Sequence, residues 1–141
     1  MRVLQFTDPH LPGSPEVRVR GVATSETLAR CIAHARRRHP LPDAVLLTGD
    51  LVHDDRGGYG LLHAHFSDVG APVHCLPGNH DDPADVSGAL DGPPFVHDFA
   101  RRYGAWLFVM MDSTVAGQHH GHFDAGELAR LDTALAARAG A

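Results

Sequence analysis

The sequence predicts an α/β fold organised around a largely parallel sheet. Three observations carry that expectation. Short apolar segments of strand length alternate with stretches of helical periodicity. One segment, Ala44 to Thr48, is continuously apolar, as expected of a strand buried on both faces. No internal repeat or low-complexity tract interrupts the alternation. At 141 residues the chain has the length of one domain, and such a length can bury roughly 68% of its unfolded surface without disulfides.

Taken in order, Arg2 to Thr7 reads as a first strand ending at Asp8-Pro9-His10, with a Pro- and Gly-rich loop, Leu11-Pro12-Gly13-Ser14-Pro15, behind it. Thr24 or Ser25 can cap a helix running to about Arg38, with Leu28, Cys31, Ile32 and Ala35 at helical spacing, and Pro40 and Pro42 stop it. The second strand, Ala44 to Thr48, ends in Gly49-Asp50. A helix follows from about Gly58 to Asp68 with Leu61, Leu62, His65 and Phe66 on its inner face. Val73 to Leu76 is the third strand, closed by Pro77-Gly78-Asn79-His80-Asp81. Asp82 to Pro94 reads as a loop with one helical turn. Phe95 to Ala100 and Ala105 to Asp112 read as two strands joined near Arg102-Tyr103-Gly104. Asp124, with Glu127 three residues on, resembles a capping box for a last helix whose Leu128, Leu131 and Leu135 form one stripe.

Composition removes several function classes. Hydrophobic residues at 43% and charged residues at 21% exclude wholesale disorder. A net charge of −5 and an isoelectric point near 6.1 argue against a nucleic-acid or membrane-surface partner. Cys31 and Cys75 lie far apart with no CxxC pair and read as small buried hydrophobes. The amino terminus reaches Asp8 before any signal-peptide run forms, and the longest apolar run, Ala105 to Met111, is far short of a membrane span. The expectation is a cytoplasmic, reduced protein. All twelve cationic residues are Arg, and there are twelve His; so many imidazoles invite a metal-site reading without locating one.

The strand ends locate one. In open α/β sheets ligands gather beyond the carboxyl ends of the strands. Asp8 and His10 are two apart, so in extended backbone, which Pro9 favours at Asp8, both side chains point to one side. A carboxylate and an imidazole on one face suit a divalent cation; alone, the pair reads more readily as a turn with a surface histidine. Asp50 places an acid at the exit of a buried strand, where its two oxygens could bridge two cations or simply cap a turn. In Gly78-Asn79-His80-Asp81 the glycine permits close backbone approach, Asn79 offers a neutral oxygen ligand and His80 a proton donor. A tight turn would account for Gly78 and Asn79 but not for His80 and Asp81.

In this order and spacing the three motifs resemble the signature of the calcineurin-like metallophosphoesterases, D-x-H, then G-D, then G-N-H-[DE]. Thr48-Gly49-Asp50-Leu51-Val52, the turn at Asp54-Asp55, Leu76 to Asp82, Met111-Asp112-Ser113 and the stretch from Gly121 to Leu135 are similar to the branch that contains class III cyclic-nucleotide phosphodiesterases. The resemblance covers nearly the whole chain. It implies a single domain over residues 1–141, the amino-terminal part of a four-layer αββα sandwich. It also implies a metal-dependent phosphoric ester hydrolase of cyclic-nucleotide phosphodiesterase type, acting on a small-molecule phosphoester. Asp8 and His10 would bind a first cation, Asp50 bridge two and Asn79 bind the second, the ions being manganese, iron or zinc. A metal-bound hydroxide would attack phosphorus, His80 would act as acid at the leaving group and Asp81 would orient it.

The pattern then breaks. The family's remaining ligands are three downstream histidines, one in a G-H or H-H-P segment and two in a terminal G-H-x-H, whereas this sequence runs from its last helix to Ala139-Gly140-Ala141. The domain is therefore expected to be incomplete at its carboxyl end, with the second metal site unfinished. Three alternatives follow: a non-catalytic half-domain that binds at most one metal weakly, completion by a second copy of the chain in a homo-oligomer, or rescue by His119, His120 and His122. In the last, Gly121-His122 looks like half of the missing motif, yet the segment reads as a solvated loop with a chance cluster of histidines.

Overall fold

The structure, a computed structural model, describes residues 1–139; Gly140 and Ala141, the end of the expected domain, lie outside the described residues. In chain order it comprises β1 (Val3–Phe6), α1 (Thr24–Arg38), β2 (Ala44–Thr48), α2 (Gly58–Phe66), β3 (Val73–Leu76), α3 (Pro83–Ala89), β4 (Phe95–Val96), β5 (Ala100–Tyr103), β6 (Trp106–Val109) and α4 (Ala125–Ala139). Strands β1 to β4 form one sheet in sequence order, parallel throughout, with Phe6 beside Leu47, Leu47 beside Cys75 and Val73 beside Phe95. Each crossover carries a helix, as parallel pairing demands. The α/β expectation and the parallel sheet hold.

The core lies between the sheet and its crossover helices. Val45 and Leu47 of β2, Val73 and Cys75 of β3, Leu28 and Ile32 of α1, and Leu62 and Phe66 of α2 are buried together. Each fully buried aliphatic or aromatic side chain there contributes about 1.5–3 kcal/mol. Because side chains alternate along a strand, His74 faces away from this core, where its Nε2 lies 2.7 Å from the Tyr103 hydroxyl. Tyr103 belongs to the antiparallel pair β5–β6, so a small second sheet packs on the face opposite the helices.

Several local expectations are corrected. Neither Thr24 nor Ser25 caps α1. The helix starts after Ala23 with no side-chain cap, because the Thr24 hydroxyl donates to the His10 carbonyl at 3.1 Å and the Ser25 hydroxyl lies 3.0 Å from His65 Nε2. The inner face of α2 is Tyr59, Leu62 and Phe66, and Leu61 packs only partly against the core. The loop after Asp82 is a two-turn helix, α3, whose start was legible: Asp82 accepts from the Ala84 amide at 2.8 Å and Pro83 fills the first helical position.

The expected strand Phe95 to Ala100 divides, β4 stopping at Val96 and β5 starting at Ala100, because the chain leaves the parallel sheet there and joins the second one. Asp124 does cap α4, accepting from the Glu127 amide at 2.8 Å. The Glu127 carboxylate turns instead to Arg130, at 2.6 Å, so no capping box closes. On the α4 stripe Leu128 and Leu135 are about half exposed, at 48% and 47%.

Candidate metal centre and its surroundings

Beyond the carboxyl ends of β1, β2 and β3 the three loops are stitched together by their backbones. The Asp8 amide donates to the Gly49 carbonyl at 3.1 Å, His10 to Asp50 at 2.9 Å and Leu11 to Leu51 at 3.1 Å, while the His53 amide returns to Leu11 at 3.0 Å. The Gly49 amide reaches the Leu76 carbonyl at 3.0 Å. Gly78 lies so close to Asp50 that a Cβ there would overlap the Asp50 amide and carboxylate. Only glycine permits that approach.

This stitching holds side chains in backbone that residues other than glycine rarely adopt. Asp8, His10 and Asp50 have φ of 53°, 44° and 46°, all in the left-handed region. Asp8 and His10 therefore do not share a face through extended alternation, contrary to the sequence expectation. Successive left-handed turns, fixed by hydrogen bonds to the exit of β2, bring them together instead. One donor atom from each of Asp8, His10 and Asp50 lies within 4.8 Å of the others. His10 Nε2 is 3.5 Å from one Asp50 oxygen, and the other oxygen accepts from the His80 amide at 3.2 Å. Two carboxylates and one imidazole at this spacing fit a divalent cation with mixed oxygen and nitrogen ligands.

Asn79 is exposed and lines, with Asp8 and Asp50, a cavity of about 270 Å³ on this edge of the sheet. The far wall of that cavity is the segment after β6, including Ser113, Gln118, His119 and His120. His119 Nδ1 lies 3.2 Å from the Asn79 amide nitrogen. Of the three histidines of this segment, His119 and His120 thus reach the cavity. His122 is exposed, its amide donating to the Ser113 carbonyl at 2.8 Å.

His80 and Asp81 part company. The Asp81 carboxylate faces away from the His80 ring: one oxygen accepts from the Gly78 amide at 2.8 Å and Leu51 at 2.9 Å, the other from Val52 at 3.2 Å and the Tyr59 hydroxyl at 3.0 Å. Burial, and then the Asp81 charge, push the Tyr59 phenol far up, which keeps it a neutral donor. Burial likewise pushes the Cys75 thiol up to about 12. The carboxylate beside the His80 ring is Asp54, whose Oδ1 lies 2.9 Å from Nδ1. That hydrogen bond, ahead of any other influence, holds the Asp54 carboxyl below its ordinary range.

Sequence reasoning missed Asp54 as a partner and missed His53 entirely. The His53 ring stands 5.2 Å from that of His10 and 5.1 Å from that of His80, centre to centre. Its position three residues after Asp50, in a loop zipped to the Asp8–Leu11 loop, was the available signal.

Comparison with known proteins agrees with the geometry. The calcineurin-like phosphoesterase family matches over residues 1–134. The chain is 31% identical over 137 residues to the 3',5'-cyclic adenosine monophosphate phosphodiesterase CpdA of Haemophilus influenzae, covering 96% of this chain and 50% of that protein. It is likewise 31% identical over 142 residues to the protein of the same name from Vibrio vulnificus, with 97% and 51% covered. To the 3',5'-cyclic-nucleotide phosphodiesterase alr5338 of Nostoc it is 28% identical over 134 residues, with 94% and 50% covered. The chain spans about half the length of the curated relatives it matches.

Proposed function

The chain belongs to the calcineurin-like phosphoesterase family, and on that premise we propose that its sheet edge forms the amino-terminal part of a metal-dependent phosphodiesterase centre for small phosphodiesters of the cyclic-nucleotide type. The observation that carries this reading is the convergence of Asp8, His10 and Asp50 donor atoms within 4.8 Å, beside His80, at the ends of adjacent strands. Asp8 and His10 would hold one divalent cation, Asp50 would lie between it and a second, and Asn79 would hold the second from the cavity wall. Manganese, iron or zinc suits this mixture of ligands. Cations bound there supply positive charge that acidifies a coordinated water and offsets charge growing on the phosphoryl oxygens.

The remaining chemistry belongs to the chain's own side chains. Asp54 engages His80 Nδ1, so in the doubly protonated ring Nε2–H is the donor left for the departing oxygen, and giving up that proton leaves the neutral Nδ1–H tautomer facing Asp54. Asp81 acts through the backbone, tying Gly78, Leu51 and Val52 into one cradle that presents Asn79 and His80. The cavity of about 270 Å³ suits a small ester. The net charge of −5 disfavours a nucleic-acid substrate. A cytoplasmic setting belongs to the same reading, supported by two unpaired cysteines; among the described residues no helix is long and apolar enough to cross a membrane.

The test is hydrolysis of bis-(p-nitrophenyl) phosphate with added manganese, expected to be stimulated by the metal and lost in Asp50→Asn. No turnover above the variant's background with manganese, iron or zinc overturns the reading for this chain. One rival is a half-domain without turnover that binds at most one cation weakly. Calorimetry resolving two tight sites per chain excludes it.

A further inference from the structure

His10, His53 and His80 form a nearly equilateral triangle of rings, with centres 5.2, 5.1 and 5.0 Å apart. A zinc-bound imidazole nitrogen sits about 2.05 Å from the metal with its ring centre about 1.15 Å further out, so three rings in tetrahedral disposition hold their centres about 5.2 Å apart. The observed spacing is the spacing a cation would impose. His53 Nδ1 and His10 Nδ1 are 3.3 Å apart, close to the edge of a tetrahedron with metal–nitrogen bonds of about 2.05 Å. One nitrogen from each of the three rings lies within 4.8 Å of the others.

A second, independent feature points the same way. Asp54 hydrogen-bonds His80 Nδ1 at 2.9 Å, the outer carboxylate that commonly fixes the tautomer of a ligating imidazole and leaves its other nitrogen bare. The His10 and His80 side chains are 26% and 21% exposed, open enough to admit an ion yet sheltered from bulk water.

We propose that His10, His53 and His80 constitute a three-imidazole site for a late-transition divalent cation such as zinc or cobalt. Its donor set differs from the oxygen-rich Asp8, His10 and Asp50 group, and nitrogen-only ligation selects against manganese and magnesium. His10 turns Nε2 toward Asp50 and Nδ1 toward His53, so the two groups draw on opposite edges of one ring. Filling the three-imidazole site also takes up His80 Nε2, the nitrogen assigned above to the leaving oxygen; that exclusion, unlike the binding itself, rests on the phosphodiester reading.

The experiment is titration of the metal-free chain with cobalt chloride, followed by visible absorption. One cobalt per chain should show the intense spectrum of a tetrahedral ion, apart from any further cobalt that the oxygen-rich Asp8, His10 and Asp50 group takes up with a weak spectrum. His53→Gln should weaken that binding by at least about 100-fold, with an unchanged far-ultraviolet circular dichroism spectrum. His53→Cys should restore it and add a sulfur-to-cobalt charge-transfer band, and Asp8→Asn should leave the wild-type spectrum in place. A wild-type chain without the tetrahedral spectrum, a folded His53→Gln variant that binds cobalt as the wild type does, a His53→Cys variant without the sulfur band, or loss of the spectrum in Asp8→Asn each overturns the proposal. None of these readouts requires turnover, so failure of the phosphodiesterase assay leaves the cobalt result standing on its own.

Discussion

Replacing Asp81 by asparagine should destabilise the fold by about 3 kcal/mol. The aspartate's two oxygens each receive two donors, Gly78 and Leu51 amides on one, the Val52 amide and Tyr59 hydroxyl on the other. Asparagine keeps one oxygen and turns an NH₂ group toward the other pair of donors, so two bonds to a charged acceptor disappear. At the lower end of about 1.5 kcal/mol for each such bond, the loss comes to about 3 kcal/mol. For a chain of this length that corresponds to a fall in Tm of about 10 °C. Urea unfolding provides the assay: the midpoint should fall with the slope unchanged. Tyr59→Phe, which removes one donor and leaves the carboxylate three, should lose only about 1.5 kcal/mol. A stability loss in Asp81→Asn of less than about 0.5 kcal/mol, or a Tyr59→Phe loss larger than that of Asp81→Asn, would refute the reasoning. A variant that abolished turnover without moving the midpoint would make Asp81 a partner of His80 after all.

Gly78→Ala should separate the second and third loops, since its Cβ overlaps the Asp50 amide and carboxylate. Divalent-cation affinity measured by calorimetry should fall at least tenfold, within the range of about 10–100-fold seen when ligand supports are lost. Native protein should release one thiol equivalent to a disulfide reagent at pH 8 and two when denatured, Cys31 being exposed and Cys75 buried with its thiol pushed up to about 12. Burial lowers the pKa of His74, and of His65, so the unfolded chain takes up protons that the folded chain refuses. Their stabilisation is complete above the unfolded value of about 6.5 and is lost as the pH falls below it, by up to about 1.4 kcal/mol per pH unit for the fully buried His74. Chemical denaturation between pH 7 and 5 should therefore show a shallower pH dependence in His74→Gln than in the wild type.

The strands and their exits were legible because both signals are local. Ala44 to Leu47 is apolar throughout, and Gly49-Asp50 and Gly78-Asn79-His80-Asp81 stand where the strands end. The signal for the helix after Asp82 is as local, an aspartate cap followed by proline. The partition of Phe95 to Ala100 was not legible, because the switch between sheets depends on which neighbour each end pairs with. Within the site, residue types and strand ends picked out Asp8, His10, Asp50, Asn79 and His80. The pairing of His80 with Asp54 rather than Asp81, and the approach of His53, depend on how two loops zip together, and spacing along one chain does not encode that.

The left-handed backbone at Asp8, His10 and Asp50 sets two kinds of selection against each other. Each of these residues holds a conformation that disfavours any side chain by about 1 kcal/mol or more, and that glycine adopts freely. Selection for heat resistance alone would drift these positions toward glycine, keeping the sheet and erasing the donor atoms. At Leu47 or Phe66, both fully buried, the same selection would preserve the residue. A mutational library sorted once for thermal survival and once for cation uptake should therefore give opposite rankings at the strand exits and matching rankings in the core.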